Sequence, residues 1–191
     1  TEEQKKMRYI FLANVDPDIQ AKLLDSIHSP RLIALDSMNF WIKHKRNSLI
    51  KLLKRVDIFV ANDAEAKELS GKHGLFEAAA FLRKLGPEMI VIKKGEHGVL
   101  FYSRALSFSL PAYPVRKLLD PTGAGDSFAG GFMGYLAKAG VINKKTIKKA
   151  IGYGTVIASY NVEGFGLERT ARLTLKEIER RFESYRGSLI L

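Results

Sequence analysis

The chain has no cysteine, which rules out a disulfide framework and a thiolate metal site. No apolar run approaches the ~18 residues that a spanning helix needs, and the first residues, Thr1 to Lys6, are polar rather than signal-like. These features fit a cytoplasmic protein with no membrane role. Repeats, low-complexity tracts and linkers rich in Pro, Gly or Ser are also missing, so one domain is expected over 1–191. The four histidines, His28, His44, His73 and His97, lack metal-ligand spacing. Acidic residues are in deficit, 20 against 31 Lys+Arg, for a formal charge of +11. The basic residues are scattered through predicted helices, with no aromatic-interleaved stripe and no nucleic-acid motif. They read as solvated helix faces, and no nucleic acid partner is expected.

What is present is ordinary globular chemistry, 46% hydrophobic and 27% charged, in which short β-branched runs alternate with helical patterns. Strands are predicted at Tyr9–Ala13, Leu32–Leu35, Ile58–Ala61 and Met89–Ile92. A hairpin or edge region is predicted over Val99–Tyr102 and Leu106–Leu110. Asp16-Pro17 suits a helix start, and Ile19, Leu23 and Ile27 recur as one apolar face. Leu49, Leu52, Leu53 and Val56 mark a second helix, and further helices begin near Asp63 and Phe76. Beyond Gly123 the pattern is helical: Phe128, Phe132 and Leu136 share a face, Ile147, Ile151 and Ala158 another. Thr174-x-x-Glu177 forms a capping box before Ile178, Phe182 and Tyr185. Alternation of this kind predicts an α/β fold, a largely parallel sheet with helices on its faces in three layers.

The chemistry concentrates in Asp120-Pro121-Thr122-Gly123-Ala124-Gly125-Asp126-Ser127-Phe128. Small residues at 123–125 let backbone approach a ligand, and a helix opens there with unpaired N–H groups and a positive dipole end. A carboxylate beside such an anion site has a purpose if it takes a proton from an attacking hydroxyl, the pairing that phosphoryl transfer requires. The alternative is that Asp126 merely favours the first helical turn. Gly130, Gly131 and Gly134 inside this helix each cost about 1 kcal/mol relative to alanine, which predicts tight packing against a neighbour.

This stretch closely resembles the C-terminal signature of the PfkB/ribokinase family of carbohydrate and nucleoside kinases, with Pro121 where relatives commonly carry threonine. The resemblance implies ATP and Mg2+ as cofactors, with K+ as a further candidate. It makes Asp126 the base that contacts the acceptor, and the amides of Gly123, Ala124 and Gly125 the anion hole. Asp120 becomes a candidate ligand of a monovalent cation. Asn62-x-x-Glu65 resembles the family's Asn-x-x-Glu motif, in which Asn62 would face nucleotide phosphates and Glu65 would act on magnesium through water; the same residues also read as a capping box. Lys94, Gly95 and Gly98 in Lys93-Lys94-Gly95-Glu96-His97-Gly98 resemble the family's nucleotide-bordering turn, and also read as a simple glycine turn. All three motifs stand in the family's order. Gly152, Val156, Ser159 and Gly164 fall where relatives form the adenine pocket, or are helix packing. Asp36 and Asn39 follow a strand end, placing Asn39 near the acceptor or in a turn beside a buried Trp41.

The resemblance runs from Tyr9 to about Tyr185 but matches only the later part of a family member. The expectation is therefore a fragment lacking N-terminal strands and the small β lid, nearly inactive alone, from a parent that phosphorylates a hydroxyl of a sugar or related small molecule. A nucleoside or inositol acceptor, or a non-catalytic nucleotide-binding domain, are the alternatives. A homodimer is conceivable for the full-length protein.

Overall fold

The computed structural model describes residues 1–189. They divide into two compact units, one of Thr1–Gly95 with Val99–Ser109, the other of Glu96–Gly98 with Leu110 onward.

The first unit runs α1 (Glu2–Lys5), β1 (Tyr9–Leu12), α2 (Pro17–Asp25), β2 (Leu32–Asp36), α3 (Asn39–His44), α4 (Arg46–Leu53), β3 (Ile58–Asn62), α5 (Asp63–Ser70), α6 (Leu75–Lys84), β4 (Met89–Lys93), β5 (Val99–Ser103) and β6 (Ser107–Leu110). The six strands lie in sequence order. Neighbours from β1 to β4 are parallel, and β5 turns back antiparallel to β4. The expected α/β class with a mostly parallel, helix-flanked sheet is what forms. β3 and β4 are buried on both faces, which is why they read as continuous β-branched and aromatic runs. Leu12, Leu35, Phe59, Ala61, Ile90 and Ile92 on one face pack against Leu24, Ile42, Leu49, Leu52, Leu53, Leu69 and Leu82 from the helices. Each such side chain contributes about 1.5–3 kcal/mol. The result is a rigid platform whose strand C-termini, Asp36, Asn62 and Lys93, end along one edge.

One helix face differs from expectation. In α2 the buried residues are Pro17, Gln20 and Leu24, while Ile19 and Leu23 are exposed and Ile27 lies past the helix end. Gln20 turns inward because its side-chain amide donates to the Ala13 carbonyl, so a polar residue takes an inner position that hydrophobicity alone gives to Ile19. Trp41 also differs: it is half-buried on α3, not in a turn, and its indole N–H donates to Asn14 Oδ1 at 2.8 Å.

In the second unit α7 (Ala124–Ala139) and α8 (Lys144–Asn161) form a close pair, with α9 (Leu175–Ser188) against α8. The expected capping box opens α9 between Thr174 and Glu177. A Cβ built on Gly131 would lie 2.9–3.1 Å from Ile157, Tyr153 and Gly154, and one on Gly154 would meet the Phe128 carbonyl at 2.8 Å. Gly131 therefore has the packing role predicted for it. Gly130 and Gly134 do not: a Cβ on either meets nothing within 4 Å, because both lie on the exposed side of α7.

Candidate active site

The loop ahead of α7 is shaped by Gly123, which serves as N-cap in a left-handed conformation (φ 79°, ψ 0°). A side chain there would strain the backbone. Asp120 braces the approach: the Thr122 hydroxyl and N–H, and also the Gly166 N–H, hydrogen-bond its carboxyl and hold it below the usual value. The Thr122 N–H donates at 2.9 Å. No side chain caps α7, so its first N–H groups are left for other partners. Of these, Ala124 N–H donates to the Pro121 carbonyl at 3.1 Å, and Ser127 N–H closes the first helical bond to Gly123 at 2.9 Å. The N–H groups of Gly123 and Gly125 have no acceptor among the described residues. Asp126, third in the helix, is exposed, and its carboxylate takes part in no hydrogen bond or ion pair among them. A free carboxylate thus stands beside unpaired N–H donors at a positive helix end. Such an arrangement can hold an anion and accept a proton next to it.

The strand ends of the first unit are organised differently. Asn62 caps α5, its Oδ1 accepting from Glu65 N–H at 2.8 Å while Glu65 Oε2 accepts from Asn62 N–H at 2.8 Å. The capping reading of this motif is realised, which does not bar Glu65 from a second role. Glu65 is buried, and burial, then the nearby Asp36 charge, push its carboxyl up; the Asn62 N–H and Lys93 oppose this. Lys93 Nζ reaches Asp36 Oδ2 at 2.6 Å, spanning from β4 to β2, and Asp36 Oδ1 accepts from Ser37 N–H at 2.7 Å. Among the described residues no group of three or more His, Asp or Glu could hold a metal ion. A single buried carboxylate fits Mg2+, which keeps several waters and is held by one or two carboxylates plus substrate phosphates.

Three comparisons bear on this geometry. The family model described as pfkB family carbohydrate kinase matches residues 20–172. The chain belongs to this family. A cytidine kinase of Thermococcus kodakarensis is 34% identical over 137 residues, covering 69% of this chain and 49% of that protein. The crystal structure of Methanocaldococcus jannaschii nucleoside kinase, titled an archaeal member of the ribokinase family, superposes with a TM-score of 0.75 at 22% identity, over 92% of this chain and 56% of that one. A putative ribokinase II from E. coli, solved with ATP and Mg2+, gives a TM-score of 0.73 at 24% identity, over 88% of this chain and 54% of that one. This pfkB-family chain spans about half the length of the curated relatives it matches.

The remaining predicted residues of this pfkB-family chain are distributed as follows. Lys94 precedes a single 3-10 turn, Gly95–His97, which Gly95 opens. Gly98 follows it with φ 85°, so close to the Leu110 carbonyl that no Cβ would fit. Gly164 is buried after α8, and its N–H donates to the Asn161 carbonyl at 3.2 Å. Gly152 faces Phe182, whose ring would lie 2.8 Å from a Cβ there, and Val156 belongs to the small core with Tyr160, Phe182 and Tyr185. Ser159 Oγ donates to Val156 O and accepts from Arg181 at 3.0 Å. Asn39 is exposed at the start of α3. Two residues of the loop's surroundings were not expected: Thr122, which secures Asp120, and Asn161, buried at 1% exposure beside Gly123. An Asx turn at Asp120-Pro121-Thr122 is readable from sequence; nothing local marks Asn161.

Proposed function

We propose that the protein transfers the γ-phosphoryl group of ATP to a hydroxyl of a sugar or nucleoside-like small molecule. The observation that carries this reading is the exposed Asp126 carboxylate beside the N–H groups of Gly123 and Gly125 at the start of α7, all without a partner among the described residues. Asp126 takes the acceptor's proton as its oxygen attacks, and the two N–H groups meet the charge on the transferring group. Ala124 joins them when its bond to Pro121 opens. Mg2+, when bound with the nucleotide, neutralises phosphate charge; Glu65 holds it through water, and Asn62 fixes the Glu65 carboxylate. Lys94, Gly95, Gly98 and Gly164 border the nucleotide. Gly152 and Ser159 have no part in this proposal, since Phe182 and Arg181 account for both. Asp120 shapes the loop through Thr122 and Gly166, and its remaining lone pairs leave it able to bind a monovalent cation as well.

The test replaces Asp126 with Asn in the longest natural form of the protein. Phosphorylation of a sugar and nucleoside panel should slow by about 10²–10⁴-fold, while ATP affinity changes less than about threefold. A variant that retains the wild-type rate removes Asp126 as the base.

A further inference from the structure

Asn161, the last residue of α8, is 1% exposed, and its side chain lies against the loop just described. Its Nδ2 donates to the Gly166 carbonyl at 2.9 Å. Turned over, the group would set Oδ1 against that carbonyl, so its orientation is fixed by chemistry. The Oδ1 is buried and accepts no hydrogen bond from the described residues, which costs stability and asks for an explanation. A Cβ built on Gly123 would stand 3.7 Å from both Nδ2 and Oδ1, so the flat carboxamide packs against the left-handed turn that starts α7. Around it the two segments are stitched together. Leu119 N–H donates to the Val162 carbonyl at 2.8 Å, and the Gly166 N–H reaches the Asp120 carboxyl.

We infer that Asn161 is a positioning residue for the phosphoryl-binding loop: its carboxamide clamps the 162–166 turn and supports Gly123, fixing the direction of the Gly125 N–H and the Asp126 carboxylate. The loop's role in phosphoryl transfer rests on the function proposed above; the clamp itself does not. Asn161 touches no reacting atom in this scheme and acts only through the loop.

Asn161→Leu keeps the branched shape and removes both polar ends. Because it also removes a buried, unpaired acceptor, the fold should hold; Asn161→Ala serves if it does not. Amide hydrogen exchange is measured on each folded variant over 119–126, 162–166 and, as an internal control, 150–158. The expected result is exchange at least tenfold faster in the first two segments with the control unchanged. In the longest natural form, kcat should fall at least tenfold while KM for ATP stays within threefold. Loop exchange within twofold of wild type overturns the clamp. So does equal acceleration in the control segment of both variants, or an unchanged kcat despite a loosened loop. If the wild-type protein phosphorylates no alcohol, the kinase reading fails, and the exchange data still decide the clamp.

Discussion

The strand ends of the first unit and the loop before α7 both gather polar residues, but they treat them in opposite ways. At the strand ends the polar groups are committed to one another: Asn62 and Glu65 exchange two hydrogen bonds, and Lys93 pairs with Asp36. At the loop the backbone is braced by Asp120, Thr122 and Asn161, yet the Asp126 carboxylate and the N–H groups of Gly123 and Gly125 are left without partners among the described residues. Groups bound to each other hold a fold, whereas groups held in place but unpaired are prepared for a ligand. The difference separates the residues that would take up the moving proton and charge from those that keep the platform and the buried Glu65 carboxylate in order.

The contrast can be broken from either side. The largest stability effect is expected for Lys93→Met, which removes the ammonium that reaches the buried Asp36 carboxylate at 2.6 Å. Urea unfolding should show a loss of about 3 kcal/mol, with a smaller loss in the Asp36→Asn, Lys93→Met double variant. A single-variant loss under about 1 kcal/mol would mean that the strand-end charges do not hold the platform. Gly154→Ala should cost about 2 kcal/mol, since its methyl would meet the Phe128 carbonyl and ring within 3 Å; a neutral result would refute the tight α7–α8 approach.

Glu65 gives a pH signature. Its carboxyl is raised above the ordinary 4.5 in the folded protein, so the folded state binds this proton more tightly than the unfolded state. The associated stability is therefore present below about pH 4.5 and is lost as pH rises through the folded value. Glu65→Gln retains an acceptor for the Asn62 N–H and should flatten that slope, matching or exceeding wild-type stability at neutral pH while weakening magnesium dependence. A steeper slope in the variant would contradict the buried-carboxylate account. The smallest effect is expected at Gly134→Ala, on the open side of α7, where thermal melting should register a gain of about 0.5–1 kcal/mol.

Much of this was legible in the sequence, and what was not has physical reasons. The inner strands declare themselves because burial on both faces permits only apolar residues, and the capping boxes at Asn62 and Thr174 are local patterns that fold locally. The α7 loop was legible because glycine and a short Asx turn are needed wherever backbone must turn left-handed. The inner face of α2 was not, since a side-chain hydrogen bond from Gln20 outweighs the apolar stripe of Ile19 and Leu23. Nor could the three α7 glycines be told apart, because only contact with Tyr153, Gly154 and Ile157 distinguishes Gly131. The Lys93–Asp36 pair joins residues 57 apart in sequence, and Asn161 meets Gly123 across a helical hairpin; neither has a periodic signal.

The most direct measurement is the amide NMR spectrum of the 191-residue chain titrated with Mg2+ and ATP. The largest shifts are expected at the N–H groups of Gly123, Gly125 and Asp126, as phosphate takes up the Gly123 and Gly125 donors that have no acceptor among the described residues. Saturating nucleotide that leaves those three signals in place would contradict the phosphate-binding role of the loop.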